Sequence, residues 1–214
     1  MTDWSPDQAL AAHHDGVTVI CELAAQFSTE AWEAPTPCNE WSAADLAGHL
    51  HCVADDYHEY LDDAPASRLS RLMATGADPG KLGRKLARQN AAELAALPDG
   101  HGPEHIAAFA GSARSYALRL PALWALPHHR YLDTDISVGG MAGWVCAEWH
   151  LHAWDLARAL GKDYRPAGPE VLLSGWRAAM PYRPVAEAGP AGDSWHALLR
   201  TSGRSPDWSP VTTS

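Results

Sequence analysis

The sequence predicts an all-α fold, a helical bundle with one long connection and an irregular C-terminal tail. Three observations predict it. Apolar residues recur at helical spacing in segment after segment, Pro- and Gly-rich stretches break these runs from one another, and no series of alternating strands supports a sheet-based core. At 214 residues and 46% hydrophobic, the chain is long enough for one full core and short for two. The expectation is a single domain over residues 1–214, with a core of about 6–181 and a tail of 182–214.

Pro6 to about Trp32 reads as the first helix, with Pro at its start, Leu10, Val17, Ile20, Leu23, Ala24 and Phe27 at helical spacing, and Gly16 as a weak point. Ala34-Pro35-Thr36-Pro37 cannot continue it. Ser42 followed by Asp45 forms an N-terminal cap for a second helix from about Ala43 to Leu61. Asp62 to Gly80 is polar and irregular, the long connection, with at most one helical turn around Arg68 to Met73. Lys81 to Leu97 and Pro103 to about Leu126 are again helical, divided by Pro98-Asp99-Gly100, with Pro121 expected to kink or interrupt the latter. His128 to Ser137 alternates weakly and reads as a loop with at most a short strand. A long apolar helix follows from about Met141 to Leu160, capped by Gly161, then a helix from Pro169 to Met180 before the Gly- and Pro-rich tail.

The formal net charge of −10 argues against a nucleic-acid partner, because phosphate binding needs a basic face. No apolar run approaches the roughly 20 residues needed to cross a bilayer, and the N-terminus lacks a basic segment followed by an apolar one. No membrane association is expected, and the cytoplasm is the expected location. Cys21, Cys38, Cys52 and Cys146 show no C-x-x-C pair, so reduced, mostly buried thiols are expected rather than disulfides or a cysteine zinc site.

The most informative stretch is Glu148-Trp149-His150-Leu151-His152-Ala153-Trp154-Asp155-Leu156. Glu148 and His152 lie four residues apart, so on a helix their side chains leave the same face and can close on one metal ion. His49, in the second helix, is a third candidate, and two His with one carboxylate can hold a divalent transition metal with positions left open. From spacing alone, a surface pair or a hydrogen-bonded core pair is the commoner account of Glu148 and His152, and a lone His49 on an apolar face is commonly a core histidine. His150 points about 200° away from Glu148 around the helix. Asp155 is an orienting partner for an imidazole, one half of a helix pair with Arg158, or a cap to the N-terminus of a neighbouring helix. His13-His14 and His128-His129 read as surface features, since adjacent residues on a helix diverge by about 100° and cannot easily share one ion, with His128 or His129 reaching the pocket as the lesser alternative. Cys38 and Cys52 lack a neighbouring base that would make either a nucleophile. Arg84 and Arg88 would suit an anionic group but are more simply a solvated helix face, and Trp41, Trp144, Trp149 and Trp154 read as core residues, one or two of them able to line a pocket.

Thr36-Pro37-Cys38 and Trp41-Ser42, leading to Asp45-Leu46-Ala47-Gly48-His49-Leu50, together with Glu148 and His152-Ala153-Trp154-Asp155-Leu156-Ala157-Arg158-Ala159, resemble the mycothiol-dependent maleylpyruvate isomerase N-terminal family, part of the DinB-like superfamily. The closing Gly203-Arg204-Ser205-Pro206-Asp207-Trp208 is similar to the tail of a metal-binding subgroup of that family. The resemblance implies a DinB-like four-helix bundle with a long crossover connection. It further implies a divalent metal, zinc or alternatively nickel, held by His49, Glu148 and His152, mycothiol as cosubstrate, and possible homodimers. No catalytic residue beyond the metal site is implied. The named isomerase has a further C-terminal domain that contributes to its site, and the chain after Gly161 is too short to supply it, so metal and thiol binding are expected rather than that isomerisation in particular. Abundant Ala and Arg, few Lys and ten Trp suit a high-GC actinobacterium, where mycothiol would be the thiol.

The expected function is that of a metal-dependent thiol enzyme, a mycothiol-dependent S-transferase or isomerase acting on an electrophilic small molecule. A thiol-independent metal hydrolase, with water in the open position, is the alternative enzyme class. A non-catalytic bundle that binds a metal or an apolar ligand is the third reading.

Overall fold

The computed structural model describes residues 4–38, 41–62, 79–97, 100–131, 133–187 and 192–208. These are mostly helical: α1 (Pro6–Ala24), α2 (Ala43–Asp62), α3 (Pro79–Ala96), α4 (Gly102–Leu123), α5 (Val138–Ala159), α6 (Pro169–Ala179) and α7 (Ser194–Thr201), with a short antiparallel hairpin of β1 (Pro127–Tyr131) and β2 (Thr134–Ser137) ahead of α5. The helical turn expected around Arg68 to Met73 lies outside the described residues.

Local chemistry sets most boundaries. Ser5 and Gln8 exchange side-chain and backbone hydrogen bonds at the start of α1, and Ser42 and Asp45 do the same at the start of α2, as their spacing predicts. At the end of α5, Gly161 adopts φ +67° while its N–H bonds to Arg158 O and that of Lys162 to Ala157 O, the paired bonds of a left-handed helix stop. The first helix is shorter than its apolar spacing suggests. It ends at Ala24, and a turn then lets Phe27 stack on Trp32 at 4.5 Å, which a continuous helix would prevent. Pro121 sits in the last turn of α4 rather than dividing it, so the ladder loses little.

The helices pack α1 against α4 and α5, α2 against α3, α4 and α5, and α6 against both α5 and α7. Helix α5 is apolar on nearly all sides because it stands between two cores. One face carries Val145, Trp149, Ala153 and Leu156 into the main core with Ile20, Leu50 and Phe109; the other carries Cys146, Leu151 and Trp154 towards Leu172, Trp176, Trp195 and Leu198. Gly16 is where α1 approaches α5, since a Cβ there would stand 2.8 Å from Trp149 Cβ.

Two further expectations are corrected. The tail is not irregular throughout: Asp193 caps α7 by accepting from the N–H groups of Trp195 and His196, and Trp195, Leu198 and Leu199 bury one face of a helix too short for composition to reveal. Of the four paired histidines, His14 alone is a surface feature. His13 is buried on the inner face of α1 while His14 is exposed, which is the divergence expected of neighbours on a helix. His128 and His129 are both buried because β1 has a register irregularity between Pro127 and His129, which breaks the alternation that would expose one of them.

Burial pushes His13 down to about 4, His129 to about 4 and His128, with His129 beside it, to about 3. The unfolded chain binds protons at these positions from about pH 6.5 downward, so stability is complete above that pH and falls as pH drops towards 4. The expected loss is on the order of 3 kcal/mol per buried imidazole across that window. Urea midpoints measured from pH 7 to 4.5 should fall, and fall less for His13→Leu; a flat profile would refute burial of the neutral rings.

Candidate functional site

Helix periodicity alone brings Glu148 and His152 to one face of α5, with His152 Nε2 3.3 Å from Glu148 Oε2. Packing of α2 against α5 then adds His49, whose ring stands edge-on to His152 at 5.2 Å between centroids. His49 also lies against Trp41, at 4.7 Å. The three side chains expected from the sequence therefore meet. His49 and His152 are buried and Glu148 is half-buried, and His49 and Glu148 line a cavity of about 200 Å³.

The far side of His152 is built as tightly. Its Nδ1 lies 3.0 Å from Asp155 Oδ2, which we take as the partner over Arg204 Nη2 at 3.3 Å because a carboxylate accepts the ring proton and a guanidinium cannot. Asp155 is fully buried and engages Arg204 through two parallel bonds, Nε to Oδ1 at 2.9 Å and Nη2 to Oδ2 at 2.6 Å. Cys38 Sγ donates to the same Oδ2 at 3.2 Å. Burial alone would raise the Asp155 pKa, but the Arg204 charge and the hydrogen bonds from His152 and Arg204 hold it far below the usual carboxylate range.

Arg204 reaches this place through a second left-handed stop. Gly203 has φ +88°, its N–H bonds to Arg200 O and that of Arg204 to Leu199 O, which turns the chain back onto α5 after α7. Arg158 donates to Trp208 O and pins the segment further along. The tail thus contributes a buried residue behind the site. Asp155 pairs with Arg204 and His152 rather than with Arg158, whose own carboxylate partner is the exposed Asp163.

Burial opposes a charge on His152, yet the hydrogen bond to Asp155, with Cys38 and the Glu148 carboxylate alongside, holds its pKa well above the ordinary value. His49 is driven the other way, by burial first and then by the charges of His152 and Arg204. A positive charge at His152 Nε2, whether a proton or a metal ion, is what two flanking carboxylates favour. That atom is buried, and its geometry to Glu148 makes no hydrogen bond, so it has no hydrogen-bond partner. An orphaned imidazole nitrogen beside a carboxylate and a neutral imidazole is a donor set of the kind that could hold a divalent metal.

Among the described residues, the group whose ligand atoms all lie within 4.8 Å of one another is Cys38, His152 and Asp155 rather than His49, Glu148 and His152. The Arg204 guanidinium already neutralises that side, so a second cation there has little to gain. Cys38 is not a thiolate: burial, then the Asp155 charge, pushes its pKa up. Its contact with Asp155 and the arrival of Arg204 are the features that reading from the residues missed; the tail motif carried the one signal that could have pointed to Arg204.

The other candidates fall away from this cluster. His150 faces the opposite side of α5, where its Nε2 bonds to Ala12 O and its Nδ1 to the Tyr164 hydroxyl. Arg84 and Arg88 are exposed, Trp149 and Trp154 are buried in the two cores, and Trp144 lines the cavity. Among the described residues no helix is long and apolar enough to cross a membrane. Residues 13–157 match the family profile of the mycothiol maleylpyruvate isomerase N-terminal domain, a span that includes His49, Glu148, His152 and Asp155 but not Arg204. No curated protein and no solved structure matches the chain.

Proposed function

We infer the function from family and pocket together: the chain belongs to the mycothiol maleylpyruvate isomerase N-terminal domain family, and on that premise we propose a metal-dependent enzyme that joins a small thiol to an electrophilic small molecule. Mycothiol is the thiol the family's name points to, which would place the enzyme in an actinobacterial cytoplasm, as S-transferase or isomerase. Helices α1, α2, α4 and α5 would form a four-helix core, with His49, Glu148 and His152 as ligands of zinc or nickel. The observation that carries this reading is the buried Nε2 of His152, left without a hydrogen-bond partner beside Glu148 and His49.

A divalent metal held by these residues would supply Lewis acidity that keeps a thiol as its thiolate near neutral pH. The chain's own residues do the positioning. Asp155 accepts the Nδ1 proton of His152, which fixes the tautomer and turns the Nε2 lone pair to the ligand side. Arg204 keeps Asp155 ionised, and Trp41 packs against His49 to limit its rotation. Met141, Tyr57 and Trp144 present apolar surface to the cavity and keep bulk water from a nucleophile formed there.

Elemental analysis of protein purified without chelator or histidine tag, wild type beside His152→Ala, tests the ligand set. Close to one divalent ion per chain is expected in the wild type and almost none in the variant. Mycothiol-dependent consumption of chlorodinitrobenzene should vanish with the metal. Metal in neither protein, even after zinc is offered, would sink the reading, and hydrolytic turnover without thiol would transfer the site to the hydrolase class.

A further inference from the structure

The cavity beside Glu148 has polar groups that metal binding leaves unused. His129, from the bulged strand β1, and Tyr182, just beyond α6, both line it, and His129 Nε2 and Tyr182 Oη are buried atoms with no hydrogen-bond partner. A buried polar atom left unpaired is unfavourable, and a pocket with two of them is suited to a ligand that pairs them. Neither group is ionised near neutral pH. Burial pushes His129 down to about 4, and burial with Tyr131 alongside pushes Tyr182 up to about 12. Tyr182 therefore keeps its proton to donate. His129 Nδ1 lies 2.8 Å from His128 Nδ1, and when His128 donates in that pair the His129 proton sits on Nε2, a second donor to the cavity.

The rest of the wall selects for shape and charge. Tyr131 lies 4.1 Å from Tyr182 between ring centroids, tilted by 32°, and Met141 and Trp144 add flat or deformable apolar surface. Among the described lining residues, Asp56 and Glu148 bring carboxylates and Arg183 a guanidinium. That guanidinium is already engaged, 5.7 Å above the Trp176 ring and donating to Thr201 O at 3.0 Å. Among the described lining residues, an anionic ligand finds no guanidinium or ammonium that is not already engaged. The cavity of about 200 Å³ exceeds the roughly 150 Å³ that admits benzene in an apolar site, so one substituted ring fits.

We propose that this part of the cavity is the electrophile subsite and takes an uncharged, flat molecule of about one ring bearing a carbonyl, whose oxygen accepts from Tyr182 Oη and His129 Nε2. The word electrophile rests on the function proposed above; the recognition of an uncharged carbonyl compound does not. Tyr182 and His129 are thereby specificity-determining residues, contributed by segments outside the helices that carry the metal ligands.

NMR titration of the full chain with acetophenone, ethylbenzene and benzoate separates hydrogen bonding from shape and charge. Acetophenone is expected to bind roughly 3- to 10-fold tighter than ethylbenzene, and tighter than benzoate, with shifts at Tyr182 and His129. Tyr182→Phe should remove most of that advantage and leave ethylbenzene unchanged. The same preferences should appear in His152→Ala, so a failed metal or thiol reading leaves this result standing and the two failures can be told apart. Benzoate binding tightest, ethylbenzene matching acetophenone, binding of none of the three, or shifts confined elsewhere would each overturn the proposal, and all four are read on the wild type without any variant.

Discussion

Arg204→Met is expected to destabilise the protein by about 3–5 kcal/mol, because it leaves the Asp155 carboxylate buried without its counter-charge. Asp155 has no solvent to turn to, and the remaining bonds from His152 and Cys38 replace neither the bidentate geometry nor the charge. The penalty belongs to the stranded charge rather than to the pair. Asp155→Asn combined with Arg204→Met should therefore recover much of the loss, as replacement of a whole buried pair often does. Metal affinity should not recover with it, since the tautomer of His152 depends on the carboxylate, and a 10- to 100-fold drop is expected. Urea unfolding and metal competition on the single and double variants measure the two effects separately. A single variant within about 1 kcal/mol of wild type would mean that Arg204 does not hold the buried position described here.

Gly143→Ala is expected to be the most damaging single methyl among the described glycines. A Cβ at Gly143 would stand 2.0 Å from Gly175 O and 2.6 Å from Gly175 Cα, so α5 and α6 touch backbone to backbone and no side chain can swing aside. Relief requires moving α6, which carries Leu172 and Trp176 into the second core and joins Tyr182 to it downstream. A loss of about 3 kcal/mol or more is expected, the upper range for overpacking. Gly111→Ala, in α4 with open space around its Cβ, should instead stabilise by about 0.5–1 kcal/mol, because alanine is the better helix former. Thermal unfolding of both variants checks the contrast, and equal effects would contradict the close approach at Gly143.

Local features of this chain are legible in its sequence because they are decided within a few residues. The Ser42 and Asp45 cap, the stop at Gly161 and the shared face of Glu148 and His152 depend on backbone geometry that repeats every turn. The same reasoning turns His150 away from the pocket. It could not decide whether Glu148 and His152 form a bare helix pair, and His49 joined them in the sequence reading only through a family resemblance.

Only tertiary packing settles the remainder. The meeting of His49 with His152 depends on how α2 lies against α5, and the Arg204 bond to Asp155 depends on α7 folding and on Gly203 turning the chain back. Neither is encoded at a spacing that a single helix displays. The burial of His13, His128 and His129 was missed for a related reason: sequence hydropathy scores an imidazole as polar, whereas the folded chain surrounds it with aromatic rings, Tyr116 and Trp149 about His13 and Tyr60 about His128. Periodicity fixes which face of an element a residue occupies; what that face meets is a matter of side-chain volumes fitting across elements distant in the chain, and that is the step at which the ring of donors and acceptors around His152 is assembled.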